Sequence, residues 1–406
     1  MNAGKDSASE RYIFTQLTKI TRILFPVTDD AILKYLNDDG FPVEPTFYAP
    51  IIPMVLVNGS KGIGTGFSTD IMCFNPLVII NYLKQKLSSG EEDHALQEFE
   101  FIPYYEGFKG TTTKITESKF LFRGIYENVG QDKIRVTELP VGHWTQDFKE
   151  HLESLTEVVV DKNGKKSQPI IKDYDDMSKD TSVDFTITFQ KDKLAELEAH
   201  IGENNINGVE KLLKLCNTSS TSNMHLFNHE DKLKKYNNVV EIIEDYYVVR
   251  LELYNLRKKN MISALEKELV ILSNKAKYIQ EILNDTIDLR KKKKEQVVDM
   301  LQQKGYDIID EDAEYKYLVK MSMDSVTDEN VAKINKEHAD KIDELHIIKT
   351  TSIQQMWLNE LVVLEEEYIK YKEERERASI DKVVKVKKVV KSTKKKELSN
   401  NFKIEE

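Results

Sequence analysis

Residues 242–283 read IIEDYYVVRLELYNLRKKNMISALEKELVILSNKAKYIQEIL. Apolar side chains at Ile242, Tyr246, Val249, Leu253 and Leu256 step by 4, 3, 4, 3. Ile262, Leu265, Leu269, Leu272, Ala276, Ile279 and Leu283 step by 3, 4, 3, 4, 3, 4, and the two runs are out of phase by one position. Each run is a heptad seam of the kind that one helix buries against another, so the spacing predicts a long helix from about 238. A second seam, Trp357, Leu361, Leu364, Tyr368 and Tyr371, predicts a partner helix within 327–376. Between them lie RKKKKEQVVDMLQQKGYDIID (290–310) and the short apolar YLVKMSM (317–323). Two long helices with a compact insert predict an antiparallel arm with a globular tip, where two such arms can meet.

Outward from the arm the texture changes. Over 101–190, Phe120, Phe122, Tyr126, Ile134, Val136, Val183, Phe185, Ile187 and Phe189 alternate at strand period, predicting a β or α+β subdomain. DKNGKKS (161–167) has hairpin composition. Further upstream, NPLVIINYLKQKL predicts a helix. Pro42, Pro45, Pro50 and Pro53 forbid a regular helix over 42–53, and Gly59, Gly62, Gly64 and Gly66 mark a loop with close backbone approaches. Ile13, Leu17, Ile20 and Leu24 predict a helix over 12–24 stopped by Pro26, and Thr28-Asp29-Asp30 caps a second one, AILKYL, that ends near Gly40.

A chain of 406 residues suits roughly two to three domains. Charged residues make up 32%, which favours long solvated helices. The net charge of −10 argues against whole-chain attraction to nucleic acid, but Lys382–Lys396 holds eight lysines and no acid, leaving the remainder at −18. That stretch reads as a disordered tail from about 378 that binds DNA non-specifically, solubilises the protein or serves as a nuclear-import signal. Two cysteines, Cys73 and Cys216, without metal-ligand spacing, fit a reducing compartment rather than a disulfide scaffold. No apolar run reaches membrane-span length and the first residues lack a signal-peptide core, so the expectation is a soluble, intracellular protein with no membrane partner.

Four stretches carry candidate chemistry. Tyr12 follows Arg11. A tyrosine hydroxyl has a pKa near ~10 and needs a neighbouring cation to attack a phosphodiester; the planar guanidinium fork can hold two phosphate oxygens. The same dipeptide also reads as the opening of an amphipathic helix. Ile63, between two glycines in GIGTG (62–66), is what a wedge between base steps needs, although the residues alone favour a buried turn isoleucine. The loop lacks the lysine and hydroxyl of a P-loop. KLLKLCNTSSTSNMHLFNHEDKLKKY (211–236) has Ser, Thr and Asn flanked by lysines, a composition that grips phosphates or makes an ordinary polar loop. His225 and His229 are four apart but have no third ligand at useful spacing, so no metal site is assigned.

GKDSAS (4–9), RYIFTQL (11–17), the Leu-Phe-Pro ending at 26, Asp29-Asp30, VEP (43–45), FYAPIIPMVLVNG (47–59) and GIGTG occur in an order and at a spacing that resembles the cleavage core of type IIA DNA topoisomerases of the eukaryotic or giant-virus type. The resemblance continues through ELPVGHWTQDFKE (138–150), Thr221-Ser222-Asn223, YNLRKK (254–259), QKGYD (303–307), MSM (321–323) and MWLNEL (356–361), covering roughly 4–375. Ala3 and Asp324 depart from the family pattern. The resemblance implies an α+β multidomain chain: the end of a winged-helix domain with the catalytic tyrosine and intercalating loop (1–70), an α/β tower (71–237), and a coiled-coil arm with a helical exit-gate tip (238–377). The disordered lysine-rich tail (378–406) lies beyond it.

It further implies Tyr12 as the nucleophile that forms a 5′-phosphotyrosyl bond and Arg11 as transition-state stabiliser. Ile63 becomes the residue that intercalates and bends the DNA, and Lys5, Lys214, Thr221, Ser222 and Asn223 become DNA contacts. The complete enzyme would use Mg2+ and ATP, neither bound by residues of this chain. Its acidic metal cluster (Toprim domain) and ATPase domain would precede Tyr12 and have no counterpart here. Two readings follow. One is a topoisomerase II fragment or subunit that breaks duplex DNA, passes a second duplex and rejoins the first. It would act as a homodimer through the exit gate with an upstream ATPase/Toprim polypeptide, in a nucleus or at a viral replication site. The alternative is a non-catalytic dimerisation and DNA-scaffolding module.

Overall fold

The computed structural model describes residues 7–89, 99–157, 159–160, 166–179, 181–290, 292–322 and 326–400. Lys5 and Asp324 lie outside the described residues, as do the last six of the lysine-rich tail. The chain forms two compact units that interleave in sequence: Met1–Thr21 with Ile52–Tyr247, and Arg22–Ile51 with Val248–Glu406.

The first unit is a layered α+β body. Ile171–Asp176, Phe185–Phe189, Lys133–Glu138 and Ile125–Gly130 form an antiparallel sheet in that spatial order. Phe185 pairs with Val136 and Ile187 with Ile134, so the alternating residues of both strands share the buried face. Helix Thr145–Thr156 covers that face with Phe148 and Leu152, and the Phe148 ring meets Phe185 edge-on at 5.0 Å. Strand-period reading over 101–190 is therefore borne out. A second sheet places Cys216–Ser220 beside Lys119–Arg123 and Thr111–Thr116. Helix Pro76–Ser89 starts where its sequence predicts, with the Asn75 side chain accepting the Leu77 N–H at its first turn. The expected hairpin at 161–167 is flanked by the pairs Val160–Lys166 and Val159–Ser167; its central residues are outside the described ones.

Two N-terminal helices that the sequence predicts do not form. Glu10–Tyr12 is one 3-10 turn, and an α-helix occupies only Thr21–Leu24. The apolar stripe over 12–24 has little to pack against, since Ile13, Phe14 and Leu17 are exposed, and a short helix without tertiary burial is marginal. AILKYL is instead a 3-10 turn, Val27–Ile32, followed by a hairpin of Tyr35–Asp38 and Phe41–Pro45. Asp39 and Gly40 both take positive φ, 47° and 91°, the requirement of a two-residue Asp-Gly hairpin turn. That turn chemistry overrides the helical spacing before it.

In the second unit the long helices form as expected. Helix Val239–Leu283 carries 45 residues, and the return helices are Asp328–Thr350 and Ile353–Asn400. The return breaks at Thr351-Ser352. There the Thr350 and Thr351 hydroxyls donate back to the His346 and Ile347 carbonyls, and the Lys258 ammonium donates to the Lys349 and Thr351 carbonyls. The insert, with helices Lys294–Gln303 and Lys316–Val319, closes its own core of Tyr278, Leu301, Tyr306, Tyr315 and Leu318. Residues 378–400, which the sequence reads as part of a disordered tail, carry helical backbone.

The buried stripe of the long helix departs from the first heptad run at 250–257, while Leu265, Leu269, Leu272, Ala276 and Ile279 of the second run lie on it. Leu256 is exposed and Leu253 half-buried, while Arg250, Tyr254 and Arg257 are fully buried. Moving the stripe by one position removes the phase break seen in the sequence. From Arg250 the buried or half-buried positions run 254, 257, 261, 265, 269, 272, 276 and 279, a period of about 3.6 that suits one straight helix. The cause is a charged cluster. Asp29 accepts from Arg250 Nη1 (2.8 Å) and Arg257 Nε (2.6 Å). Arg257 also bonds Glu360, Arg250 donates to the Ala49 carbonyl (3.0 Å), and the Tyr254 hydroxyl donates to Glu360 (2.6 Å). Tyr254 lies between the two guanidiniums, 4.3 and 4.5 Å from its ring centre, and stacks on Trp357 at 5.5 Å. The Trp357 indole N–H donates to the Ile51 carbonyl (2.9 Å). Asp29 is thus a buried ion-pair hub joining 22–51 to both long helices, not the helix cap its sequence suggests.

Candidate functional site

The first unit carries the candidate nucleophile and the candidate wedge. Tyr12 ends the Glu10–Tyr12 turn, its N–H donating to the Ser9 carbonyl (2.9 Å). Its side chain is 72% exposed, against 62% for Tyr48 and 41% for Tyr35. The Arg11 guanidinium lies over the Tyr12 ring, 5.2 Å from the centroid. Among the described residues no side chain bonds the Arg11 guanidinium or the Tyr12 hydroxyl, which leaves both open to a ligand there.

Ile63 sits in a two-stranded ribbon, Ser60–Gly64 with Phe67–Ile71. Thr65 and Gly66 make the turn, with Gly66 at φ +84°. Ile63 is therefore in the strand next to the turn, not on it, and pairs with Ser68. It is 93% exposed, which excludes the buried-turn reading. A Cβ at Gly64 would come within 2.4 Å of the Phe67 ring across the ribbon, so the ring would have to shift to admit one.

The polar loop braces this ribbon. The Asp70 N–H donates to the Asn223 carbonyl (2.8 Å), and Asn223 Nδ2 donates to Ser68 Oγ (2.9 Å). His225 N–H donates to Thr69 Oγ1 (3.3 Å), its Nδ1 lies 3.0 Å from Asn223 Oδ1, and Phe67 meets Phe227 edge-on at 5.7 Å. Structure thus brings Ile63, Ser222 and Asn223 onto one assembly, with Ser222 exposed. Two expected contacts stand apart. Thr221 is 6% exposed and its N–H bonds the Ser118 carbonyl (2.9 Å), so its backbone anchors the loop. Lys214, exposed and at positive φ (52°), sits at the opposite end of strand Cys216–Ser220, a separation of roughly 3.3 Å per residue.

The family model for the A-type subunit of DNA gyrase/topoisomerase IV matches residues 1–365. The chain belongs to that family. DNA topoisomerase 2 of Arabidopsis thaliana is 36% identical over 406 residues, covering 90% of this chain and 26% of the relative. DNA topoisomerase 2-alpha of Cricetulus griseus is 35% identical, covering 90% and 25%. Among solved structures, the Plasmodium falciparum topoisomerase II DNA-binding, cleavage and re-ligation domain superposes with a TM-score of 0.80 at 35% identity, over 93% of this chain and 52% of that one. The chain therefore spans about a quarter of the length of these curated relatives.

Sequence reasoning missed two features of this candidate site. Lys235 is exposed and pairs with His225 across the strands Met224–Phe227 and Leu233–Tyr236, which places a cation beside the braced ribbon; LKKY was its only signal. His225 acts as a brace for Asn223, and nothing in its spacing announced that. Competing nucleophiles are disfavoured. Burial pushes the Cys73 thiol up and the Cys216 thiol to about 11, and burial lifts Tyr105 to about 12. Among the described residues no group of three or more His, Cys, Asp or Glu side chains would hold a metal ion, and no helix is long and apolar enough to cross a membrane.

Proposed function

We propose that this chain is the DNA-breaking and DNA-bending part of a type IIA topoisomerase, working through a 5′-phosphotyrosyl intermediate. The observation that carries it is Ile63, 93% exposed on a ribbon that Asn223 and His225 hold in place. An isoleucine left in water on a braced, glycine-lined ribbon suits insertion between base steps of a duplex. Ser222, Asn223 and Lys235 then meet the phosphates beside the wedge, Lys214 adds a contact further along the backbone, and Lys5 is a further DNA contact by family resemblance.

Tyr12 Oη attacks a backbone phosphorus. The Oη–P bond forms as the P–O3′ bond breaks, the hydroxyl proton is lost, and the 3′ oxygen takes up one in its place. Arg11 swings from the ring face to hold the non-bridging oxygens as their charge grows. Rejoining is the reverse attack by the 3′ hydroxyl, and one phosphodiester is exchanged for another without net hydrolysis. The described residues do not fit a metal site, so no metal step is assigned to this chain. Mg2+ and ATP belong to the complete enzyme, supplied through Toprim and ATPase domains. Two chains pair through the arm tips, where Ile308 and Val319 are exposed. Sedimentation of the full chain is expected to show a concentration-dependent dimer, and a monomer at high concentration would overturn that pairing.

The test is covalent capture. The full chain is mixed with Mg2+ and a suicide duplex, with and without a polypeptide carrying Toprim and ATPase domains. A denaturant-stable protein–DNA adduct is expected in the complete mixture. Its absence with every such partner would leave the dimerising DNA scaffold as the better reading. Ile63→Ala should leave folding within about 0.5 kcal/mol, because the side chain is in solvent. It should lower the bent fraction of a doubly labelled duplex about tenfold; unchanged bending would remove the wedge assignment.

A further inference from the structure

A glycine inside a strand costs backbone entropy and weakens the strand, so it needs a reason. Among the described glycines Gly62 has the least such reason. The others hold a positive φ or bring a built Cβ to 3.4 Å or closer to a neighbouring atom, a distance that at Gly202 is ordinary van der Waals contact. Gly62 does neither: its φ is not positive, and a Cβ built there meets nothing within 4 Å. It sits in the middle of strand Ser60–Gly64, opposite Thr69 and directly before Ile63. That strand pairs on one side only, so its outer edge is open among the described residues. The protein has room for a side chain at Gly62, and a valine there would suit the strand better.

We infer that Gly62 is glycine because DNA, not protein, fills the space beside it: the sugar–phosphate wall of the bent duplex packs against the Gly62 backbone while Ile63 enters the base stack. This deepens the proposed function and rests on it. Successive residues of a strand point to opposite faces, so a wedge at Ile63 pushed into a groove carries the Gly62 face in with it. A groove opened by one isoleucine leaves space for a bare Cα on the other face and none for a branched side chain. Lys61 completes the stretch: its side chain is 80% exposed and pairs with Asp70 at 2.9 Å in the free protein, an ion pair weak enough for a phosphate to replace. Gly62 is on this account a DNA-contact residue that sets how deeply the ribbon enters.

The experiment compares the full chain with its Gly62→Ala, Gly62→Val and Ile63→Ala variants on a duplex of about 30 base pairs labelled at both ends. Gly62→Val is expected to keep or raise the melting temperature, since it fills open space and reduces unfolded-chain entropy. Its affinity for the duplex and its bent fraction are expected to fall about tenfold or more, with Gly62→Ala intermediate. Val and Ala variants that bind and bend as the unsubstituted chain does, while Ile63→Ala loses bending, would overturn this inference and leave the wedge standing. An unsubstituted chain that neither binds nor bends the duplex would overturn both.

Discussion

Asp29→Ala should destabilise the second unit by about 3–5 kcal/mol, whereas Asp30→Ala, one residue along, should cost under about 1 kcal/mol. Asp29 is 3% exposed and is the shared acceptor for Arg250 and Arg257, which are themselves buried. Its removal takes away the buried carboxylate that both guanidiniums share, out of reach of water, while the carboxylate of Glu360 is part-exposed. Asp30 meets Arg22 at 3.4 Å with both side chains about half in solvent, so water takes over when it is lost. The reporter is built in: Trp357 stacks on Tyr254 inside the cluster, and its fluorescence follows this unit during urea unfolding. Equal midpoints for the two variants would show that the cluster contributes no more than a surface pair. Asp29→Asn separates charge from shape, because it keeps the side-chain volume and two acceptor lone pairs but no negative charge.

Tyr12→Phe should abolish the covalent adduct and leave the fold and DNA affinity unchanged. The substitution removes one oxygen from a side chain that is largely in water, and the ring that Arg11 covers stays in place. No described residue needs that hydroxyl for packing. Arg11→Ala should slow adduct formation by about a hundredfold or more, the usual cost of losing one donor to the developing charge. It should also leave binding to intact duplex less affected than the rate. Adduct formed by Tyr12→Phe at the unsubstituted rate would move the chemistry to another hydroxyl. The raised pKa values of the buried tyrosines and thiols make that a poor alternative at neutral pH.

Much of the fold is legible because its signals are local. The alternation of Phe185, Ile187 and Phe189 and the seam of Trp357, Leu361 and Leu364 both predict the faces that end up buried. The order of Arg11-Tyr12, GIGTG and Thr221-Ser222-Asn223 points to the candidate site residues from the sequence alone. Failures occur where a non-local partner decides. Helices at 12–24 and 31–36 have the right spacing, yet the first lacks a surface to pack on and the second yields to the Asp39-Gly40 turn. Thr221 and Lys214 look equivalent to Ser222 and Asn223 in sequence. Only the sheet shows that one is buried and the other lies at the far end of its strand.

The sequence by itself determined that there are two long helices, an α+β body between the N-terminal segment and the arm, and an arginine–tyrosine pair upstream of a glycine-lined isoleucine. Periodicity and turn chemistry act over a few residues, so a few residues suffice to read them. Tertiary structure alone decided which stripe of the long helix is inside over 250–257. Leucines at 253 and 256 advertise one face, but Arg250 and Arg257 claim the adjacent one because Asp29, 221 residues away from Arg250, neutralises them there. Tertiary structure likewise decided that Ile63 stands in solvent, because the residues that brace its ribbon lie some 155 positions downstream.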